Sequence, residues 1–526
     1  MTLDLGIVIA YFVLVMAMAL RGRQLGNDVT AEDYFLSSRQ LRWPSIAIST
    51  IATNVQGYQF LGMMGSAYLY GMAQANLEIN AVQGILLAAL VFVPLYLRDR
   101  IITITQFISK RLGEKVALAY SLANIGLLST VGLGAALMWG AYAAESVFGD
   151  NLIWISDDRF TRASVVLIAL GVFSAIYTYL GGLRAVVKTD IIQFAILVAG
   201  GLTITLVAVH ELGGWSELYA STPPAHMSLH LPADHENLPW TMLFGLFFLN
   251  INYWCGNQAV MQRSLAAKNL REAQLGLMVG GVMKYFMAVI IIVPGIALYG
   301  LIGDRLGEVD AAFPYLVQNF LPSGLAGLIL CALFASLMST VDSTFNSLST
   351  LWSVDIYGKY LKADASDAEL VSAGRQTVIV CLLTGLATGL LLLSVKFSDG
   401  GKAFTHFLNE TRYFVNCGLV VLLLSAVLLI SPKPKYTLLA FLFAGPLNFA
   451  LKEGFSFLHG NYGVTDLNYF LRAGIVIVFS FLLFQVLIGR ARWAPTKNLF
   501  ELKDKEVKWF AVGLLVSLIS LHILFH

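Results

Sequence analysis

Charged residues are scarce in this sequence. They make up 13% of the 526 residues, whereas hydrophobic residues make up 57% and the mean hydropathy is +0.73. Soluble domains carry about 25% charged residues, so a set of soluble domains is excluded and a mostly helical integral membrane protein is indicated. The net charge of +2 comes from dispersed basic residues, which argues against a nucleic-acid partner.

Cysteine is equally rare, and nucleotide and catalytic motifs are lacking. The four cysteines lie far apart within apolar runs, where we interpret them as small buried residues rather than a disulfide framework. The GxxxxGK[ST] sequence of ATP-driven pumps is missing, and no stretch reads as a soluble enzyme domain. The first apolar run follows the acidic start MTLD without a basic segment, which predicts a retained helix instead of a signal peptide.

Fourteen apolar runs are long enough to cross a bilayer, which takes about 20 helical residues. If the N-terminus is outside, most of the 34 Lys and Arg residues fall in cytoplasmic segments, including Arg263, Lys268 and Arg271 after the seventh run. This agrees with the positive-inside rule and leaves both termini extracytoplasmic. The predicted spans are 4–20, 44–64, 70–97, 115–148, 162–180, 185–209, 240–262, 273–302, 323–357, 374–395, 403–430, 436–452, 467–489 and 508–525.

Two of these spans carry polar residues where a membrane helix should be continuous. They are STIATNVQGYQFLG at 49–62 and NINYWCGNQ at 250–258. Irregular backbone at membrane depth survives only inside protein or beside a wet cavity, and paired broken helices are typical of inverted-repeat transporters. A kinked structural helix is the alternative for the first. We predict a leading segment at 1–43, repeats at 44–209 and 240–430, and three peripheral helices at 431–526.

Two ionisable residues, Glu78 and Lys284, fall inside predicted spans. Such groups are costly in a membrane and indicate a functional site by default, although a purely structural ion pair between two helices is the alternative. In the ninth span, Ser336, Ser339 and Thr340 follow each other at i, i+3 and i+4. That hydroxyl stripe suits either a cation site or close helix packing.

The long outer loop at 211–239 holds three histidines, His226, His230 and His235. No cysteine and only loosely spaced carboxylates accompany them, so a plain extracellular loop is predicted rather than a metal site.

Five stretches resemble the sodium/solute symporter family, in particular its sodium–sugar branch. They are EDYFLSSRQLRW at 32–43, IATNVQGYQFLGMMGSAY at 51–68, YTYLGGLRAVVKTDIIQ at 177–193, NYWCGNQAVMQRSLAAKN at 252–269 and STVDSTFNSLSTLWSVDIY at 339–357. The resemblance runs from about residue 30 to 430. It implies an all-α LeuT-type fold of two inverted five-helix repeats with one leading and three trailing helices.

The same resemblance implies sodium-coupled import by alternating access of a small polar solute, a sugar such as galactose or glucose being expected. Inositol, an acidic sugar, another organic solute or a channel is the alternative, and a proton could replace sodium. A solute site is implied at Gln59, Glu78, Asn250, Tyr253, Trp254, Lys284 and Asn409. Sodium ligands are implied at Ala52, Val55, Ser336, Ser339 and Thr340, with Asp190 and Asp342 at the sodium exit or a second sodium site.

The sequence also departs from this branch. Its second-helix tyrosine and serine correspond to Leu77 and Ala81, and its tenth-helix glutamine corresponds to Asn409. The same helix carries Arg412, which can bind a carboxylate on the solute or pair with a carboxylate of the protein; we favour the pairing. We expect a multi-pass protein of a bacterial inner membrane, without an obligate protein partner and without enzyme activity.

Overall fold

Helices occupy all fourteen predicted spans. The computed structural model describes residues 2–21, 29–322, 324–398, 404–494 and 504–526. Within these ranges, eleven helical stretches are long and apolar enough to cross a membrane. Two of them, 59–98 with 40 residues and 159–212 with 54, exceed one crossing and are interrupted at Gly71 and Gly182, which have positive φ. The half-helix 43–54 completes the crossing that continues at 59–70, and the broken helix 242–265 accounts for the remaining predicted span.

The first seven crossings follow the predicted spans closely. They are α1 (Thr2–Arg21); α2 (Trp43–Asn54, Gln59–Met63 and Met64–Tyr70); α3 (Gly71–Ala75, Asn76–Ile79, Ala81–Leu87, Ala88–Phe92 and Val93–Arg98); α4 (Glu114–Leu127, Leu128–Gly132 and Leu133–Phe148); α5 and α6, which together form Arg159–Leu212 and are divided at Gly182; and α7 (Met242–Ile251, Asn252–Gly256 and Gln258–Leu265).

The last seven crossings contain two clear boundary differences. These crossings are α8 (Leu270–Ile302), α9 (Leu325–Thr350 and Leu351–Leu361), α10 (Asp367–Ser398), α11 (Phe404–Leu428), α12 (Pro434–Tyr462), α13 (Tyr469–Phe481 and Leu482–Ile488) and α14 (Lys505–Leu524). Helix α10 begins seven residues before the predicted residue 374. The prediction ended α12 at residue 452, but the helix continues because Lys452 donates to Glu410 of α11 (3.0 Å) instead of marking a loop.

The connections hold short elements. The helices there are Ala31–Leu36, Ser37–Arg39, Ile104–Leu112, Gly149–Leu152, Trp215–Ala220, Pro224–Met227, Val309–Ala311 and Ala312–Phe320. Strand β1 (Leu429–Ile430) pairs antiparallel with β2 (Arg492–Trp493), which ties the end of α11 to the segment after α13.

Burial separates inner from outer helices. In α9, 83% of the apolar stretch is buried inside the protein, against 22% in α1 and in α14. Helix α9 packs along α5 and α6, and α2 packs along α8. These inner helices therefore hold their polar side chains away from lipid, while α1 and α14 present mostly apolar surface to it.

The two terminal helices contact different parts of the core. Helix α1 packs on the α5–α6 pair and on α9, and Asp4 accepts hydrogen bonds from the N–H groups of Gly324 (2.7 Å) and Gly327 (2.8 Å). Helix α14 packs on α8 and α3, where Tyr285 donates to the Leu514 carbonyl (3.2 Å). Helices α12 and α13 cover α11 and α7.

Candidate functional site

Side chains make hydrogen bonds to the backbone groups that the break in α2 leaves without helical partners. The helix ends at Asn54, and Val55 has an extended conformation with φ −75° and ψ 102°. The side chain of Gln59 accepts the N–H of Gln56 inside the break. Ser336 of α9 donates to the freed carbonyl of Val55 (2.7 Å). The interruption is thus satisfied by protein groups, as membrane depth requires.

The break in α7 is satisfied in the same manner. Asn257 is extended (φ −81°, ψ 115°), and its side chain accepts the N–H of Ala259 (2.9 Å), which starts the second half-helix. The preceding carbonyls of Cys255 and Gly256 accept the hydroxyls of Tyr96 (2.8 Å) and Tyr120 (2.6 Å). Both predicted breaks therefore exist, and in α7 the second half-helix starts with a side-chain N-cap, Asn257.

A cavity of about 180 Å³ lies between the two broken helices. All seven residues predicted for the solute site line it: Gln59, Glu78, Asn250, Tyr253, Trp254, Lys284 and Asn409. These residues come from five helices, α2, α3, α7, α8 and α11, so the convergence is a product of the tertiary fold. The departures Leu77 and Ala81 also face the cavity and add apolar groups to its wall.

An ion pair stands at the centre of this lining. Lys284 donates to Glu78 and to the side-chain oxygen of Asn54 (2.6 Å), and Gln59 donates to the other oxygen of Glu78. Glu78 and Lys284 are 2% and 1% exposed, so neither charge is solvated by bulk water. A structural role for this ion pair and a role in solute binding are therefore compatible, because the pair joins α3 to α8 and also lines the cavity.

Tyr253 and Asn250 have defined partners. Asn54 donates to the Tyr253 hydroxyl (3.0 Å), and the rings of Tyr253 and Trp254 meet edge to face at 5.3 Å. Asn250 uses its amide nitrogen on the backbone carbonyl of Asn80 (3.0 Å), which leaves its oxygen as the group available to a ligand. Trp254 is 1% exposed, so its contribution is chiefly a packed wall.

Several lining residues escaped the prediction. Asn124 of α4 and Tyr413 and Asn416 of α11 face the cavity. Single asparagines or tyrosines in an apolar run carry little signal, since such residues also serve helix packing. The spacing of Asn409, Arg412 and Asn416 at i, i+3 and i+7 could have identified one polar face of α11.

The predicted sodium ligands lie where α9 meets the break in α2. Ser336 contacts Val55, as described, and Thr340 donates to the carbonyl of Thr53 (3.3 Å). Ser339 donates to Asp190 of α6 (2.6 Å). Ala52 is buried in the last turn before the break. This collection of neutral hard oxygens beside one carboxylate has the donor chemistry that a monovalent cation uses.

The two aspartates are both fully buried in this region. Asp190 accepts from Ser49 and Ser339 and pairs with Arg263 (3.3 Å). Asp342 accepts from the Tyr177 hydroxyl (2.6 Å). Arg263, expected in a cytoplasmic segment after the seventh span, lies within the second half of α7 and is 0% exposed. In sequence, an arginine near a helix end is typical of a loop. Here the side chain is buried because its side-chain hydrogen-bonding partners lie on other helices.

Arg412 also departs from the expected pairing. The neighbouring Glu410 is occupied by Arg472 and by Lys452 (3.0 Å). Within the described residues no carboxylate lies in ion-pair distance of Arg412, which faces the cavity and donates only to the carbonyl of Val131 (3.4 Å).

The chain is similar to proteins of one known family. The family model described as "Sodium:solute symporter family" matches residues 34–428. The sodium/glucose cotransporter of Vibrio parahaemolyticus is 32% identical over 426 residues, which cover 76% of this chain and 75% of that protein. Sodium/glucose cotransporter 1 of Oryctolagus cuniculus is 31% identical, covering 78% and 66%, and the sodium/myo-inositol cotransporter of Homo sapiens is 30% identical, covering 78% and 61%.

Among solved structures, the outward-open, substrate-bound state of a sodium-coupled sialic acid symporter superposes with a TM-score of 0.79. The alignment covers 94% of this chain and 99% of that one at 19% identity. At this identity the likeness shows the fold, which is the all-α LeuT-type fold. Together with the family match, these findings establish that the chain belongs to the sodium:solute symporter family and is a sodium-coupled transporter, not an enzyme.

Proposed function

We propose that the cavity between α2 and α7 binds a small hydroxyl-rich solute of the sugar class, which the protein carries inward together with sodium. The observation that supports this most is the convergence of Gln59, Asn250 and Asn409 with the Glu78–Lys284 pair on one cavity. Amides and a charged pair offer both donors and acceptors, and a polyol needs both. The names of the relatives, for glucose and for myo-inositol, point to the same class.

We further propose that sodium binds where α9 faces the break in α2, through Ala52, Val55, Ser336, Ser339 and Thr340. In this arrangement the Ser336 hydroxyl joins α9 directly to the broken segment. A cation at this point would hold the two helices together and so favour a formed solute cavity. Asp190 and Asp342 lie next to this position and are assigned to the exit path or to a second sodium.

The predicted repeats, 44–209 and 240–430, supply the moving halves of an alternating-access cycle in this proposal. We place the protein in a bacterial inner membrane with both termini outside. Two contacts support a common side for the termini: Asp4 with Gly324 in the connection before α9, and Phe525, whose carbonyl accepts the N–H of Leu229 in the 211–239 loop (2.7 Å).

Uptake into proteoliposomes tests the proposal. Labelled galactose and glucose are offered with an inward sodium gradient or with choline in its place, to the unmodified protein, Gln59→Ala and Ser339→Ala. We expect sodium-dependent uptake that falls at least tenfold in both variants, because each removes a group from one proposed site.

Two matched control variants test whether loss of a buried amide or hydroxyl outside the cavity also lowers uptake. Gln485→Ala and Ser425→Ala remove buried polar groups whose hydrogen bonds are to Thr437 and to the Val421 carbonyl (2.7 Å), outside the cavity. Both should keep near-normal uptake. Equal uptake in sodium and choline, or full activity in Gln59→Ala, would refute the proposed sites.

A further inference from the structure

Arg412 is a cavity-lining cation whose hydrogen-bonding capacity is largely unused. A guanidinium has five N–H donors in a planar fork. Its Nη2 makes one long contact to the Val131 carbonyl (3.4 Å), and its Nε is buried without a hydrogen-bond partner in the described part of the chain. The side chain lies in the wall of the main cavity and of a small adjoining pocket near Gln56 and Trp139. Arg412 therefore lines the cavity with donor capacity that the described residues do not use.

The charges of the cavity do not balance without a ligand. Its lining contains one acid, Glu78, and two bases, Lys284 and Arg412. Lys284 is committed to Glu78 and to Asn54, and the nearest acid on the helix of Arg412, Glu410, is engaged by Arg472 and Lys452. Among the described residues, one positive charge thus has no carboxylate partner inside the protein, which is an expensive arrangement at membrane depth.

The groups beside Arg412 complete a recognition face. Asn409 and Asn416 lie one turn before and about one turn after it on the cavity side of α11. The side-chain oxygen of Asn416 is also buried, with no hydrogen-bond partner among the residues that the structure describes. An arginine fork next to an open amide acceptor matches a carboxylate flanked by a hydroxyl, because a guanidinium binds carboxylates through two parallel hydrogen bonds.

We propose that the transported solute is an acidic sugar, of the hexuronate class, whose carboxylate pairs with Arg412 while its hydroxyls meet the amides and the Glu78–Lys284 pair. This inference rests on the proposed function, and it narrows the solute class of that site. It assigns to Arg412 the role of selecting an anion over the corresponding neutral hexose.

The test compares galacturonate with galactose at pH 7.5, where the carboxylate is ionised. Sodium-driven uptake is measured in proteoliposomes for the unmodified protein, Arg412→Gln and Arg412→Lys. In the unmodified protein we expect a KM at least tenfold lower for galacturonate. Arg412→Gln should raise the galacturonate KM by about 10- to 100-fold, the usual cost of losing a charged hydrogen-bonding partner, and leave the galactose KM unchanged or lower. Arg412→Lys should fall between them, since the charge remains without the fork.

Lys452→Gln serves as the matched control, because it removes a positive charge that pairs with Glu410 outside the cavity; it should preserve the preference. Thermal unfolding separates binding from folding: Arg412→Gln should melt at the same or a higher temperature without solute, since an uncompensated charge is removed. Sodium-driven galactose uptake that galacturonate does not inhibit would overturn the inference alone. Failure of both solutes to be taken up or to stabilise the protein in sodium would overturn the proposed function with it.

Discussion

At the scale of single residues, the Glu78–Lys284 pair shows how one contact can support folding and binding. It joins two helices inside the core and also borders the cavity. Removing one member of a buried ion pair leaves an unpaired charge and costs about 3 kcal/mol or more, whereas replacing both by apolar or neutral residues is far less damaging. Stability and transport should therefore respond differently to the same set of variants.

We expect Glu78→Gln and Lys284→Met each to lower the free energy of unfolding by about 3 kcal/mol, and the double variant to recover most of that loss. Uptake should be absent in all three, because the donors and acceptors for the solute are gone. Melting temperatures in a fixed detergent and uptake in proteoliposomes measure the two properties. A double variant that transports normally would assign the pair to structure alone.

Some of the buried polar residues of the site could be predicted from the sequence, and others could not. Glu78, Lys284 and Gln59 could be singled out because an ionisable or polar residue in an apolar run is conspicuous. Arg263 could not, since its position near a helix end is typical of a loop base. Arg412 was noticed, yet its lack of a carboxylate partner depends on Glu410 being taken by Arg472 and Lys452, which only the packing of α12 and α13 against α11 decides.

At the scale of elements, Gly182 separates α5 from α6. Its conformation, φ 52° and ψ −152°, is one that side-chain-bearing residues rarely adopt, and a Cβ there would lie 2.5 Å from the Tyr34 carbonyl. The turn therefore packs directly on the Ala31–Leu36 helix. The predicted gap between the spans at 180 and 185 contains this residue, so the sequence located the break, although the close approach to Tyr34 was not foreseeable.

Gly182→Ala should destabilise the protein by about 2 kcal/mol or more, from backbone strain and from the contact with Tyr34. Gly126→Ala is the matched control, because a Cβ at that helical position meets nothing within 4 Å, and its melting temperature should be unchanged or slightly higher. Thermal unfolding of the two variants side by side gives the comparison. Similar melting temperatures would contradict a strained turn at Gly182.

At the scale of the whole molecule, the 211–239 loop covers the ends of α2, α3 and α8. The ring of His226 lies 4.5 Å from that of Tyr299, its Nε2 is 3.3 Å from the Tyr68 carbonyl, and its own carbonyl abuts Gly71. No group of three or more potential metal ligands occurs among the described residues. His226 therefore packs the 211–239 loop against the ends of these helices.

Burial lowers the pKa of His226 from its ordinary value of 6.5, and likewise the pKa values of His230 and His235. The unfolded chain then binds protons more readily than the folded one, so stability is complete above about pH 6.5 and falls as the pH drops towards the folded pKa. Melting temperatures from pH 8 to 5 should decline on the acid side. His226→Phe should make that decline shallower, and an identical decline in both proteins would contradict the assignment.

The overall architecture could be predicted from the sequence, because hydropathy gives the number of membrane crossings and the polar breaks identify the two central helices, α2 and α7. The details that were missed depend on helices meeting far along the chain. The end of α12 was placed ten residues early because Lys452 and Glu453 look like a membrane boundary in sequence. Likewise, the strand pair between Ile430 and Arg492 joins segments that no local pattern connects.

Because α1 and α14 pack on different helices, the distance between them can be used to follow conformational change during transport. Helix α1 packs on α5, α6 and α9, and α14 packs on α8 and α3. Each terminal helix thus contacts both proposed repeats, and a movement of the first group of helices against the second would change the distance between α1 and α14. All four native cysteines are buried, so cysteines introduced at the exposed residues Leu3 and Trp509 offer preferential sites for a donor–acceptor dye pair. The two ends of the chain would then report, molecule by molecule, which way the protein is open.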